Sequence, residues 1–600
     1  SRHAGAIPSR FRLKAGMTTR YSCGSGQACA ELDSVIRDCL TLLHPLPATG
    51  TFVPELTNIA EALRTQAENR PDGVALILPV KRVAGRWTDR RWTYRQLNDL
   101  SDRLAAGLQQ HGIAAGTRVA FMVPPSLEFF ALFFALLKAG CVPVLIDPGI
   151  GLKPLKACIG EARPSVFIGV TRAQVARLLF GWARGHLSRT VTVGARPFGM
   201  GLRYRDLLQR NATDFTPPEV EPEAPAAILF TSGSTGIPKG VVYRHRHFTA
   251  QVSMIRDTYG IKPGEIDLPT FPPFALFDPA LGMTTVIPQM DFTRPARANP
   301  EMLVSLIEQY KVTNVFGSPA LMNTLSRHLV AHSATLPTIR RALSAGAPVS
   351  PSVVERMHAA LVDQADLHTP YGATECLPVA TIAGRELLGD LSAANRSGQG
   401  ICVGRPLAVN RVRVIRITDQ AIERLEDSRE IEGDEIGEIC VAGPTVTDCY
   451  WQRDAQTRLA KMRDADGTVW HRMGDVGRID EQGRLWFCGR KSERVVTAES
   501  VLFTECVEGI VNAVRGVYRS ALVGIGPNRA TPLVVIEPEP GQRAATLVPR
   551  VLERLADRDW TAGIRDVAIR KSLPVDIRHN AKIRRGQLAE QMDRKFSRKR

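Results

Sequence analysis

The eleven cysteines of this chain include no C-x-x-C pair. That argues against a zinc site or a disulfide framework and fits a reducing cytosol. No apolar run is long enough to cross a bilayer. The most apolar stretch, Phe129 to Leu137, is bounded by Glu128 and Lys138 and reads as a buried helix. No internal repeat of fixed period is present, which argues against solenoids and propellers. No secretory signal is evident; residues 1–52 carry no motif and are read as a leader or extension.

What is present is an ordinary globular composition, 44% hydrophobic and 23% charged, over 600 residues. That length is too great for one core, so two or more domains are expected. The net charge is +17, but residues 1–30 and 582–600 together supply +11 of it. This placement weakens a nucleic-acid reading. The ends are expected to be solvated basic tails, or to make a peripheral contact with an anionic membrane.

From Asn58 onward helical and strand patterns alternate. Ile59 to Glu68 is expected as an amphipathic helix, and Trp92-Thr93-Tyr94 opens another in which Leu97, Leu100, Leu104 and Leu108 recur at helical spacing. Val119–Val123 and Val142–Ile146 read as strands. The alternation predicts an α/β fold with mixed or parallel sheets flanked by helices. The proline- and acid-rich stretch 216–225 is expected as a stiff linker.

That linker leads into the most informative run, Thr231-Ser232-Gly233-Ser234-Thr235-Gly236-Ile237-Pro238-Lys239-Gly240. Glycines let backbone N–H groups approach phosphate oxygens, hydroxyls add donors or reach a metal, and lysine supplies charge. It is not a Walker loop, where Gly-Lys is followed by Ser or Thr. A Gly/Ser run alone is a surface loop; four downstream motifs change that reading. Tyr371-Gly372-Ala373-Thr374-Glu375 pairs a flat face with a carboxylate suited to a hard cation. Ser344-Ala345-Gly346-Ala347-Pro348 is a small-residue turn. His471-Arg472-Met473-Gly474-Asp475 precedes Arg490, and Pro574 leads a loop that ends at Lys582.

These five motifs, in this order, resemble those of the adenylate-forming enzymes, over about residues 55 to 590. The resemblance implies two cofactors, ATP and Mg²⁺. It implies that Thr231 to Gly236 and Lys239 wrap the phosphates and that Gly346, Ala347 and Pro348 line the adenine pocket. Tyr371 would pack on adenine with Gly372 and Ala373 beside it, and Thr374 would contact the α-phosphate. Asp475 would hold the ribose hydroxyls, Arg490 the ribose or a phosphate, and Thr235 and Glu375 the metal. Lys582, Thr235 and Glu375 are then the catalytic residues, Lys582 bridging the carboxylate and the α-phosphate. The implied domains are an AMP-binding domain over 53–488, a hinge over 489–493 centred on Glu493, and a small α+β domain with a basic tail over 494–600.

Three departures are informative. Ala581 replaces the usual glycine before Lys582, Ala275 takes the place of a gating side chain, and Glu499 stands where a thiol arm would need glycine. Phe271-Pro272-Pro273-Phe274-Ala275-Leu276-Phe277-Asp278 and Arg578-His579-Asn580-Ala581-Lys582 resemble the β-lactone synthetase family of bacterial long-chain olefin biosynthesis. The implied reaction is ATP-dependent adenylation of a long-chain β-hydroxy acid, then attack of its own hydroxyl to close a β-lactone. Assembly with other olefin-biosynthesis enzymes is the implied partnership. The alternative is a conventional fatty acyl-CoA synthetase or acyl-AMP ligase, which shares every ATP motif.

Overall fold

A computed structural model describes residues 56–231, 238–576 and 582–597. Helix Ile59–Asn69 starts at Asn58, whose side chain accepts the Ala60 N–H and donates to the Leu137 carbonyl, each at 2.9 Å. Helix Tyr94–Gln110 starts from a capping box of Thr93 and Gln96. It buries Leu97, Leu104 and Leu108 completely. Helix Leu127–Lys138 is apolar except for Glu128 and Lys138 at its ends, and every residue in it but the half-buried Glu128 is buried. Lys138 reaches Asp102 at 2.7 Å.

A seven-stranded sheet runs in the order 202–203, 189–193, 166–170, 118–122, 142–146, 225–231, 239–244. All neighbours are parallel except the last pair, Pro225–Thr231 with Lys239–Arg244. The phosphate-loop run therefore leads from strand to strand, not from strand to helix. The expected linker connects elements of this one sheet, and Pro225 is already its first strand residue.

The second sheet has fourteen strands and is mixed. Strands 266–269, 284–286, 314–317, 341–344 and 366–373 pair in parallel. Helices 300–310, 319–331 and 351–358 lie between them in the chain. Beyond Asp366–Ala373 the pairing is antiparallel throughout. No helical crossover is needed between antiparallel neighbours. A two-stranded sheet, 495–496 with 501–502, follows, and a three-stranded sheet, 517–525, 531–538 and 566–569, completes the fold. Its two apolar clusters draw only on residues from Val495 onward.

The expected basic tail is corrected in part. Residues Arg585–Ser597 form a helix with Leu588, Ala589 and Met592 buried. Apolar residues at helical spacing anchor what charge counting reads as solvated chain.

Candidate active site

The turn Thr374–Glu375 joins strands Asp366–Ala373 and Cys376–Ala383. Two other elements pin it. The Tyr243 hydroxyl donates to the Thr374 carbonyl at 2.6 Å, and the Thr447 N–H donates to the Glu375 carbonyl at 2.9 Å. Gly372 is required by space: a Cβ there would stand 2.7 Å from the Cys376 carbonyl oxygen.

The Glu375 side chain accepts the Tyr450 hydroxyl on Oε1 at 2.6 Å. Its carboxyl lies below the ordinary range although burial pushes it up. His471 stands beside it, but burial drives that imidazole down to about 3, so it is neutral at pH 7. The Tyr450 hydrogen bond and the Lys461 ammonium therefore keep Glu375 ionised. Burial lowers Lys461 itself to about 8. Lys239, the first residue of its strand, places Nζ 4.4 Å from the centre of the Tyr450 ring. One tyrosine thus touches both the carboxylate and the lysine, through hydroxyl and ring face.

Asp475 lies within strand Val469–Ile479, opposite Arg490. The Tyr371 hydroxyl donates to its Oδ2 at 2.7 Å. Arg490 stands 2.7 Å from Oδ1 as an ion pair without hydrogen-bond alignment, so Oδ1 keeps capacity to accept. Burial raises the Asp475 carboxyl, with Arg490, Tyr371 and Lys582 pulling the other way. Lys582 is thus within electrostatic reach of Asp475.

Lys239, Gly346, Ala347, Pro348, Tyr371, Gly372, Ala373, Thr374, Glu375, Asp475, Arg490 and Lys582 all line one cleft of about 2140 Å³. Ser344 ends a strand, and Gly346 turns the chain with φ 96°, a backbone angle suited to glycine. Thr231 ends strand Pro225–Thr231. Ser232, Gly233, Ser234, Thr235 and Gly236 lie outside the described residues, as do Arg578 to Ala581. The same cleft is also lined by apolar side chains, among them Phe129, Phe133, Ile146, Phe248, Phe274 and Trp182. Phe274 stacks on Phe316 at 3.9 Å.

Two expectations are corrected here. Ala275 is buried in the apolar core and does not line the cleft; its neighbours Phe274 and Leu276 do. A four-residue helix, Pro272–Ala275, turns Ala275 inward. Glu499 is exposed in the turn between strands Val495–Val496 and Val501–Leu502 and lines no part of the cleft. Its side chain therefore obstructs nothing in this arrangement.

Sequence reasoning missed Tyr450, Lys461 and Arg585. The first two belong to no chemical motif, and their role exists only through contact with Glu375. Arg585 lay within the run read as a basic tail, yet it reaches Glu493 at 2.9 Å and Glu508 at 2.7 Å. Glu505 stands 3.6 Å away.

Residues 63–451 match the family model described as AMP-binding enzyme. The chain is 50% identical to the olefin beta-lactone synthetase of Stenotrophomonas maltophilia, over 89% of this chain and 97% of that protein. The olefin beta-lactone synthetase of Xanthomonas campestris is equally similar, at 50% with the same coverage. The long-chain-fatty-acid–CoA ligase FadD13 of Mycobacterium tuberculosis is 28% identical over 78% of this chain and 86% of its own. Among solved structures, the amide bond synthetase McbA of Marinactinospora thermotolerans superposes with a TM-score of 0.71. It is 21% identical over 89% of this chain and 99% of its own, and so supports the fold alone. The chain belongs to the AMP-binding enzyme family and, within it, to the family of the olefin beta-lactone synthetases.

Proposed function

We propose that the protein uses ATP to activate a long-chain β-hydroxy acid and then closes it to a β-lactone. The observation that carries this reading is one continuous cleft. It joins the buried Asp475 and the half-buried Lys239, Glu375 and Arg490 to apolar side chains such as Phe129, Phe133 and Phe274, in a chain half identical to olefin beta-lactone synthetases. In the first step a substrate carboxylate oxygen attacks the α-phosphorus and pyrophosphate leaves. Lys582, which lines the same cleft, would offset the charge of two anions meeting. In the second step the β-hydroxyl oxygen attacks the acyl carbon, the bond to AMP breaks, and the hydroxyl proton is released. The ring closes within one molecule, and such orientation is worth up to ~7–11 kcal/mol at the favourable end.

The donor set suits Mg²⁺. Glu375 is ionised and its Oε2 accepts no hydrogen bond from the described residues. Among those residues no group of three or more acidic, His or Cys side chains is placed so that it could hold a metal ion by itself. A single carboxylate completed by substrate phosphates is the usual arrangement for this ion. When bound, it would neutralise charge on the phosphates; Thr235 is the proposed second ligand.

The hinge is proposed at 489–493. Gly489 has φ 134° and a Cβ there would strike Thr504, and Glu493 is tied to Arg585. Small-angle scattering with and without an acyl-adenylate analogue tests this hinge; identical profiles would remove it. The activity is tested by NMR identification of the product from ATP, Mg²⁺ and a synthetic long-chain β-hydroxy acid. A β-lactone is expected; recovery of unreacted acid, or product only with CoA, would overturn the reading.

A further inference from the structure

Charge in the middle of the chain is modest in total but uneven in place. From Leu152 to Arg210 there are eleven lysines and arginines and only two carboxylates, Glu161 and Asp206. Both carboxylates are already engaged, Glu161 with Arg453 at 2.6 Å and Asp206 with Arg203 at 2.8 Å. Lys153, Lys156, Arg163, Arg172, Arg184 and Arg196 are exposed.

The same segment exposes large apolar side chains. Leu179 is 75% exposed, Leu152 52% and Phe180 41%. Helices Leu152–Ala162 and Thr171–Phe180 pack on one face of the seven-stranded sheet, sharing one apolar cluster. On the second helix Arg172, Ala176 and Leu179 follow one another at helical spacing, and so share a stripe.

This stripe is continuous with the lining of the cleft. Leu152, Arg172, Ala176 and Trp182 line the cleft, and Leu152 and Arg172 are also exposed. Exposed Phe180 stacks on buried Trp182 at 5.8 Å. Apolar surface therefore runs from the cleft interior to solvent among basic side chains, with one exposed acid from another element, Asp291, near Arg172.

We propose that the face formed by helices Leu152–Ala162 and Thr171–Phe180 docks on an anionic lipid surface, and that the acyl end of the cleft opens towards that surface. Basic side chains meet anionic headgroups while Leu179, Phe180 and Leu152 enter the boundary between headgroup and acyl chain. A nucleic acid would satisfy the charge but offers aliphatic side chains nothing. No described helix is long and apolar enough to cross a membrane, so the contact is peripheral. The route for the acyl chain rests on the function proposed above; the lipid contact does not.

The test is co-sedimentation of the full chain with vesicles of phosphatidylglycerol and phosphatidylcholine, or of phosphatidylcholine alone, in low and high salt. Binding to anionic vesicles is expected to be at least tenfold tighter than to neutral ones, and to weaken at least tenfold in high salt. Leu179→Ser with Phe180→Ser, and separately Lys156→Glu with Arg184→Glu, are each expected to lower it about tenfold or more. Turnover of a short, water-soluble β-hydroxy acid serves as the folding control and should stay unchanged. Wild-type protein that stays in solution with anionic vesicles would overturn the proposal. So would variants that bind like the wild type, which would assign binding to the chain ends. Loss of a co-purifying protein in the variants, with vesicle binding intact, would reassign the face to a protein partner. A failed lactone assay with intact vesicle binding would count against the proposed reaction and leave this face standing.

Discussion

Tyr450 donates its hydroxyl to Glu375 and offers its ring to Lys239. Tyr450→Phe keeps the ring and removes the hydrogen bond. Glu375 then loses one of the groups that hold its carboxyl down, so its pKa rises. The acid limb of the pyrophosphate-release profile is expected to move to higher pH. A hydrogen bond to a charged group is worth about 1.5–3 kcal/mol, so that limb should move by about one to two pH units. An unmoved pH profile would deny Tyr450 this role. Lys582→Ala is expected to slow adenylation by roughly 10²–10³-fold while ATP still binds, as for loss of one preorganised charge. Near-normal pyrophosphate release would take Lys582 out of the chemistry.

At the scale of elements, the start of the last helix is clamped to helix Thr504–Asn512. Arg585 faces Glu493, Glu505 and Glu508, three carboxylates around one guanidinium. Arg585→Met would strand buried negative charge and is expected to destabilise the fold by about 3–5 kcal/mol in denaturant titrations. A loss under 1 kcal/mol would show that water already solvates the cluster. Burial and the charge of Glu508 push the Glu505 carboxyl up to about 8. A carboxyl raised above its unfolded value binds its proton more tightly when folded. Its stabilising contribution is full below the unfolded value near 4.5 and is lost as pH rises towards 8. Glu505→Gln should therefore flatten the decline of melting temperature between pH 5 and pH 8. Parallel curves for variant and wild type would refute the linkage.

For the whole molecule the decisive question is the acceptor. Turnover with a β-hydroxy acid is expected without CoA, giving lactone and AMP. A fatty acid lacking the hydroxyl should stall as bound adenylate, giving about one pyrophosphate per enzyme. A thioester formed from that acid and CoA at a comparable rate would install the conventional ligase instead. Glu499 and Ala275 no longer support this expectation, since neither lines the cleft. It stands on the tethered nucleophile and on the likeness to the olefin enzymes.

The sequence by itself determined the helices at 59–69, 94–110 and 127–138, because cap residues and apolar spacing act over a few residues. It also determined the class of chemistry, because ATP contacts come from short contiguous motifs such as Tyr371–Glu375. Tertiary structure alone decided which groups tune those motifs. Tyr450 meets Glu375 across 75 positions and Arg585 meets Glu493 across 92, and no local pattern encodes such distances. It also decided what faces the cleft, because burial depends on where a turn points its side chains. That is why Ala275 and Glu499, read from motif position, lie elsewhere, and why a supposed basic tail is a packed helix.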